Sequence, residues 1–349
     1  MKVHLVSGGC GFVGRNMVRR LLEITEDKVF IVDDLSIGIH PSAWLDHYKA
    51  KTIKDLEIIG TDERLLFWQG DFRNFLFYMR ENPDYLNTKY NLGFDKFADI
   101  YHFAAIVGGR AKIEGDPMKV ALDLSIDAEF FFWVCNHRPA RVLYPSSSAA
   151  YPISLQTDQD AIALREPDID FEGNLGTPDM TYGWSKLTGE FLAQIAARHY
   201  EIPVVCIRPF SGYGEDQDLS YPVPAIAARA AAREDPFEVW GSGKQGRDFV
   251  HIDDIIDFIM ILMDRVKDGS AYNIGSGKLT TFLELINLFT DFAGYKPVIK
   301  PLLNKPVGVH SRYSDMSLVD KTFGWKPKIS LEEGMKRVYD AAVQRIKDK

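Results

Sequence analysis

Apolar positions along the chain gather in short blocks separated by polar, glycine-rich turns. Val3 to Ser7 is a continuous run closed by Gly8, the pattern of a strand buried on both faces. From Phe12 to Glu23 the apolar residues Val13, Met17, Val18, Leu21 and Leu22 recur at helical spacing, and Val29-Phe30-Ile31-Val32 then gives a second strand ending at Asp33-Asp34. Strand-like pieces return at Leu65 to Trp68, Asp99 to Ala104, Arg141 to Tyr144 and Pro203 to Ile207. Helical patterns lie between them at Met118 to Asn136 and Ser185 to His199. Asp46 to Glu63 is polar and periodic enough to predict one more helix. Strands alternating with helices predict an α/β fold, a doubly wound, mostly parallel sheet covered by helices on both faces.

The rhythm changes after Arg208-Pro209. Helices are predicted from Tyr221 to Arg233, Ile252 to Val266, Thr281 to Ala293 and from Leu331 onward, with short strands at Phe237 to Trp240, Ala271 to Ile274 and Pro297 to Ile299. This mixture places a first domain at 1–180 and a smaller mixed α/β C-terminal domain at 181–349, with some segments, such as the Ile252 helix, returning to the first.

Composition and charge narrow the classes of function. A chain of 349 residues, 46% hydrophobic and 26% charged, is ordinary for a globular protein. Its net charge of -8 comes without a basic tail or stripe, which argues against a nucleic-acid partner. No run approaches the roughly 18 apolar residues of a spanning helix, and the N-terminus passes straight into a strand, so neither a membrane partner nor a signal peptide is expected and a cytoplasmic location follows. Cys10, Cys135 and Cys206 are too far apart for a zinc knuckle and read as buried reduced thiols. His102 and His251 read as strand-end or helix-start residues, and no metal is expected.

Gly8, Gly11 and Gly14 follow a strand and open a helix. In that setting the first glycine permits a tight turn, the second lets a pyrophosphate approach the backbone, and the third lets helix and strand pack closely. Asp33, ending the second strand, is the candidate for the adenosine ribose hydroxyls, and its charge favours NAD over NADP. Asp33 or its neighbour Asp34 could instead cap the loop. Asp71, after Gly70, is either an acceptor for the adenine amino group or an acidic turn residue.

Tyr182 and Lys186 stand four residues apart, on one face of a helix. A phenol with an ordinary pKa of about 10 is a poor base at neutral pH, but a nearby ammonium favours its phenolate. It could then take the proton of a sugar hydroxyl. The three hydroxyls Ser146, Ser147 and Ser148 follow the strand at Arg141 to Tyr144, in the loop position where such sheets place catalytic groups. Ser147 is the one assigned to share the substrate oxygen with Tyr182.

Together with SGGCGFVG, VDDLSIG, YHFAA, YGWSK, RPFSGYG, GRDFVHIDD and AYNIGSG, these features cover almost the whole chain. The set resembles the extended short-chain dehydrogenase/reductase family, within it the NAD-dependent nucleotide-sugar epimerases and dehydratases. The resemblance implies a Rossmann-type domain holding NAD, a C-terminal domain holding a nucleoside-diphosphate sugar, and a catalytic Ser147-Tyr182-Lys186 group between them. It adds Phe12, Val13 and Ala104 to the cofactor contacts, with Tyr182 and Lys186 reaching the nicotinamide end. To the substrate it assigns Gly109, Arg110, Ser148, Ser211, Val223, Arg247 and Arg312, the two last as candidates for the diphosphate and nucleotide.

Dehydratases of the family carry Asp-Glu after the catalytic hydroxyl, and the GDP-mannose 3,5-epimerases and GDP-fucose synthases carry a cysteine where Ala149 stands. Here the two positions are Ser148 and Ala149. Alanine exchanges no protons, so the resemblance implies chemistry confined to C4: a 4-epimerase on a GDP- or UDP-hexose through a transient 4-keto sugar. The alternatives are a 4-dehydrogenase that releases the ketone, a 3,5-epimerase-like enzyme with an altered site, and a non-catalytic sensor of NAD or sugar nucleotide. Relatives commonly form homodimers through helices of the first domain, where Phe130 to Trp133 would serve either that contact or the core.

Overall fold

The computed structural model describes residues 1–94, 96–108, 110–158 and 161–348, with the side chains of residues 110–112 outside the description. Its strands in chain order are β1 (Val3–Ser7), β2 (Lys28–Asp33), β3 (Ala50–Ile53), β4 (Leu56–Ile59), β5 (Leu65–Gln69), β6 (Asp99–His102), β7 (Arg141–Pro145), β8 (Val204–Pro209), β9 (Ser211–Tyr213), β10 (Phe237–Trp240), β11 (Gly246–Arg247), β12 (Phe249–His251), β13 (Asp268–Ile274), β14 (Thr280–Thr281), β15 (Ile299–Leu302) and β16 (Ser311–Arg312). The helices are α1 (Phe12–Ile24), α2 (Phe72–Glu81), α3 (Tyr85–Tyr90), α4 (Arg110–Gly115), α5 (Pro117–Val120), α6 (Asp123–His137), α7 (Met180–Tyr200), α8 (Pro222–Ala231), α9 (Ile252–Arg265), α10 (Phe282–Phe292), α11 (Ser317–Phe323) and α12 (Leu331–Lys347).

A nine-stranded sheet in the order β13-β8-β7-β6-β1-β2-β5-β4-β3 forms the frame. From β13 to β5 every neighbouring pair is parallel. Every residue of β1 is buried because helices cover both faces. On one face Met17, Val18 and Leu21 of α1 meet Ile255, Phe258 and Ile259 of α9 over Val6. On the other, Phe75 and Leu76 of α2 meet Phe130 and Val134 of α6 over Leu5 and Phe30. Of the aromatic run on α6, Phe130, Phe131 and Trp133 fill the core and Phe132 is exposed.

β8 and β13 enter this sheet from beyond residue 181, and α9 packs on it. A separate core gathers Ala227 of α8, Phe237, Phe289 of α10 and Met335 of α12 around the short strands β10 and β15. The chain then returns to the first half. Trp325 stacks on Phe258 of α9 with centroids 4.2 Å apart, and Asp254 accepts the Lys328 and Ile329 N–H groups at 2.9 and 3.0 Å. No helix among the described residues is long and apolar enough to cross a membrane.

Two local expectations are corrected. The helix expected over Asp46 to Glu63 is the antiparallel hairpin β3–β4, laid against β5. Lys54 takes a left-handed conformation (φ 59) that turns the chain, and Leu56, Ile58 and Ile59 bury against the sheet, where branched side chains pack well. The single helix expected from Met118 to Asn136 is broken into α5 and α6 by a turn at Ala121-Leu122.

Candidate functional site

The glycine turn sits at the carboxyl end of β1, where the sheet order reverses between β2 and β6. Gly8 has φ +68, and a Cβ there would lie 2.6 Å from the Ala104 nitrogen. A Cβ on Gly14 would lie 2.2 Å from the Gly8 carbonyl oxygen. Gly11 differs: its Cβ would meet only the Gly8 oxygen, at 3.3 Å, so the side of the turn above the start of α1 is open. Gly11 is also the residue before α1 and has no side chain to occupy the first-turn N–H groups, and no acidic residue lies in that turn. Such a helix start receives a phosphate. Phe12 and Val13 begin α1 and are half-buried beside it.

Asp33 ends β2 and accepts the Cys10 N–H at 2.9 Å and the Leu35 N–H at 2.8 Å, so it ties the glycine turn to the next loop. Burial raises its pKa, and those backbone bonds offset part of the rise. Each carboxylate oxygen has a further lone pair with which to accept a hydroxyl. Asp34 accepts the Ser36 N–H and is the loop cap. Asp71 caps α2 through the Arg73 N–H at 2.8 Å and pairs with the Arg73 guanidinium at 2.6 Å.

After the carboxyl end of β7 the serine turn and α7 are pressed together. The Asp179 N–H donates to the Ala149 carbonyl at 2.9 Å, and a Cβ on Gly183 would lie 2.4 Å from that oxygen, so only glycine allows this approach. Tyr182 thereby meets Ser147. The helix starts at Met180, earlier than the expected Ser185, which puts Tyr182 in its first turn. Ser147 caps the turn at Ser148–Ala150, accepting the Ala149 N–H at 3.1 Å, and its hydroxyl lies close enough to the Tyr182 phenol to act on its pKa. Burial pushes the phenol above its ordinary value, while the Lys186 charge and the Ser147 hydroxyl pull it down. The Lys186 Nζ stands 5.9 Å from the Tyr182 ring centroid, in a side chain almost wholly enclosed.

The proposed substrate contacts are spread more widely. Ser148 is buried in the serine turn. Ser211 opens β9 and donates its N–H to the Asp248 carbonyl, and Val223 is buried in the first turn of α8. Arg247 and Arg312 are register neighbours on the parallel strands β11 and β16. Arg312 donates to Gln156 Oε1 at 2.6 Å and to Asp179 Oδ2 at 2.7 Å, and its charge acts on Tyr182. Arg247 donates to the carbonyls of Gly246 and Val307. Gly109 and the Arg110 side chain lie outside the described residues. No group of three His, Cys, Asp or Glu side chains among the described residues could hold a metal.

Two buried networks behind the site escaped the sequence reading. Ser146 donates to Glu190, which pairs with Arg208 at 2.7 Å, and Arg208 reaches Tyr151 Oη at 3.1 Å. Ser7, His102, Asp127 and Tyr144 form the second. A signal for the latter was present, since Asp127, like Asp123 one turn before it, sets a carboxylate beside the apolar positions of α6.

The model of the NAD dependent epimerase/dehydratase family matches residues 4–275. The chain belongs to this family. A member from Arabidopsis thaliana, putative GDP-L-fucose synthase 2, is 28% identical over 255 residues, covering 70% of this chain and 76% of its own. Among solved structures, the Thermotoga maritima UDP-glucose 4-epimerase with UDP-glucose superposes with a TM-score of 0.79 at 23% identity, covering 99% of this chain and 100% of its own. Streptomyces venezuelae DesIV, a dTDP-glucose 4,6-dehydratase solved with NAD and TYD, gives 0.80 at 21%, covering 98% and 97%. As a member of this family the protein uses NAD, and the open glycine turn, the bare helix start and Asp33 fit that dinucleotide.

Proposed function

We propose that this family member is a nucleotide-sugar 4-epimerase acting on a GDP- or UDP-hexose through a transient 4-keto sugar. Gly8, Gly11, Gly14, Phe12, Val13, Ala104 and Asp33 would hold the NAD, with Tyr182 and Lys186 at its nicotinamide end. Bound there, NAD supplies a hydride acceptor that can also return the hydride. Tyr182 takes the proton of the C4 hydroxyl and gives it back, Ser147 shares that oxygen, and the Lys186 ammonium favours the phenolate. Arg247 and Arg312 would engage the diphosphate, Arg312 by exchanging its Gln156 and Asp179 partners for phosphate oxygens. A homodimer through α6 and α7 belongs to the same reading, supported by the exposed Phe132, Trp184 and Phe191.

The observation that carries the 4-epimerase reading is the approach of the serine turn to α7, which brings the Ser147 hydroxyl to bear on the Tyr182 phenol, together with Ser148 and Ala149 in that buried turn. That turn offers a proton acceptor for one hydroxyl and neither carboxylate nor thiol for a carbon-bound proton. The test is incubation with UDP-glucose, UDP-galactose, GDP-mannose and GDP-galactose in deuterium oxide, with products followed by NMR. The expected product is a C4 epimer without deuterium at C3 or C5. Deuterium at either carbon, or a released ketone as the end product, would reject the reading.

A further inference from the structure

Lys186 carries its charge where the surroundings disfavour one. Its side chain is 3% exposed, and an ammonium withdrawn that far from water needs an anion beside it. Tyr144 supplies the link to one. The Lys186 Nζ lies 5.5 Å from the Tyr144 ring centroid, and the Tyr144 hydroxyl donates to Asp127 Oδ2 at 2.6 Å. Asp127, on α6, is 2% exposed.

One assignment of protons satisfies the whole cluster. The Ala104 N–H points to Ser7 Oγ at 3.4 Å, the Ser7 hydroxyl donates to His102 Nδ1 at 2.7 Å, His102 Nε2–H donates to Asp127 Oδ1 at 3.1 Å, and Tyr144 fills Oδ2. In this arrangement the imidazole is neutral and the carboxylate ionised, which leaves one net negative charge in the core. Burial holds His102 below its ordinary pKa, and the Lys186 charge presses it further down. Burial works against the Asp127 carboxylate, but Lys186, His102 and Tyr144 hold its pKa down on balance.

The other charged groups nearby are committed elsewhere or weaker. Asp123, one turn earlier on α6, adds to the field at Lys186 and accepts the Ile106 N–H at 2.6 Å. Glu190 on α7 is paired with Arg208, and burial keeps the Cys206 thiol on β8 protonated. Arg312 acts on Tyr182. We propose that Asp127, clamped by His102 and Tyr144, is a positioning residue: the buried counter-ion that fixes the Lys186 ammonium, charged, behind Tyr182. Its importance for turnover rests on the reading of Tyr182 and Lys186 as the acid–base pair.

The first test removes the cation and follows the imidazole. Protein labelled with 15N-histidine is titrated from about pH 5 to 9 by NMR, with the His102 signals assigned by their loss in His102→Gln. His102 is expected to stay neutral, as the Nε2–H form, in the unaltered protein. In Lys186→Met it should gain a proton, its titration moving up by about one pH unit or more, because the opposing charge is gone and Asp127 remains. An unchanged titration overturns the proposal. The second test is the double variant Asp127→Asn/Lys186→Met, which should melt higher than Lys186→Met alone, or fold where that single variant does not; no recovery overturns the pairing. Neither measurement uses a sugar nucleotide, so failure of the epimerase reading leaves them standing. A third reads the consequence for turnover: Asp127→Asn should lose kcat first at alkaline pH, where Lys186 gives up its proton, and an equal loss at every pH overturns the positioning role.

Discussion

Arg208→Met tests the support beneath the serine turn. Arg208, next to last in β8, is 3% exposed and donates to four buried acceptors: Glu190 Oε1 at 2.9 Å, Glu190 Oε2 at 2.7 Å, Tyr151 Oη at 3.1 Å and the Glu166 carbonyl at 2.9 Å. Methionine fills much of the same space without charge or donor, so the substitution isolates the bonds. Glu190, 1% exposed, would keep only the Ser146 hydroxyl of these partners. Breaking one side of a buried ion pair costs about 3–5 kcal/mol. The two bonds to neutral acceptors add about 0.5–1.5 kcal/mol each, with overlap, so the whole loss is about 4–6 kcal/mol. Against a typical stability of about 5–15 kcal/mol, that is a large share. Arg208→Lys keeps the charge but not the fork, and should lose less. Urea unfolding gives the measurement, with the midpoint compared at equal slope. Because Ser146 adjoins Ser147, turnover per folded molecule should fall as well. A loss below about 1 kcal/mol, the worth of one ordinary hydrogen bond, would refute the reasoning.

Tyr182→Phe removes the proton acceptor and should slow turnover about 10²- to 10⁴-fold with NAD binding kept, read by steady-state kinetics and calorimetry. Gly11→Ala and Gly14→Ala should part company. The first has room and an ordinary φ of -70, so it should fold and lose NAD affinity; the second drives a methyl into the Gly8 carbonyl and should lose folded protein, as circular dichroism would report. His137 accepts the Phe97 N–H at Nε2 and is held by burial at a pKa of about 4. The folded state refuses a proton that the unfolded chain takes near pH 6.5, so stability present above that value should fall by up to about 3 kcal/mol as pH drops to about 4. His137→Gln should flatten this acid slope in urea titrations.

The parts of the fold legible in the sequence were those where one physical pattern acted alone. The buried strands at 3–7 and 29–32, the glycine turn and α1 needed only apolar periodicity and punctuation. The polar outer positions of the hairpin at 50–59 imitate a helical period, whereas its inner Leu56, Ile58 and Ile59 are defined by pairing with β5 and by the two cores of the sheet. At the site, Ser147 and Tyr182 could be matched because strand ends and helix turns fix where side chains emerge. The Cys10 partner of Asp33 and the Gln156 and Asp179 partners of Arg312 could not, since only the folded chain brings them near. Asp127 shows the same limit: its oddity was visible among apolar neighbours, but its purpose depends on His102 and Tyr144 from other strands.

The return of the chain after residue 315 also bears on how this protein can be cut. Trp325 and Val319 cover α9, and Asp254 holds the strand of backbone at 328–329. A fragment ending at residue 275, where the family resemblance stops, would keep all the strands of the nucleotide half yet leave Phe258 and its neighbours facing water. Such a piece would stick to itself. The dinucleotide-binding half is thus finished only by residues 319–329, which follow most of the second lobe in the chain, so its core cannot close before that stretch has left the ribosome.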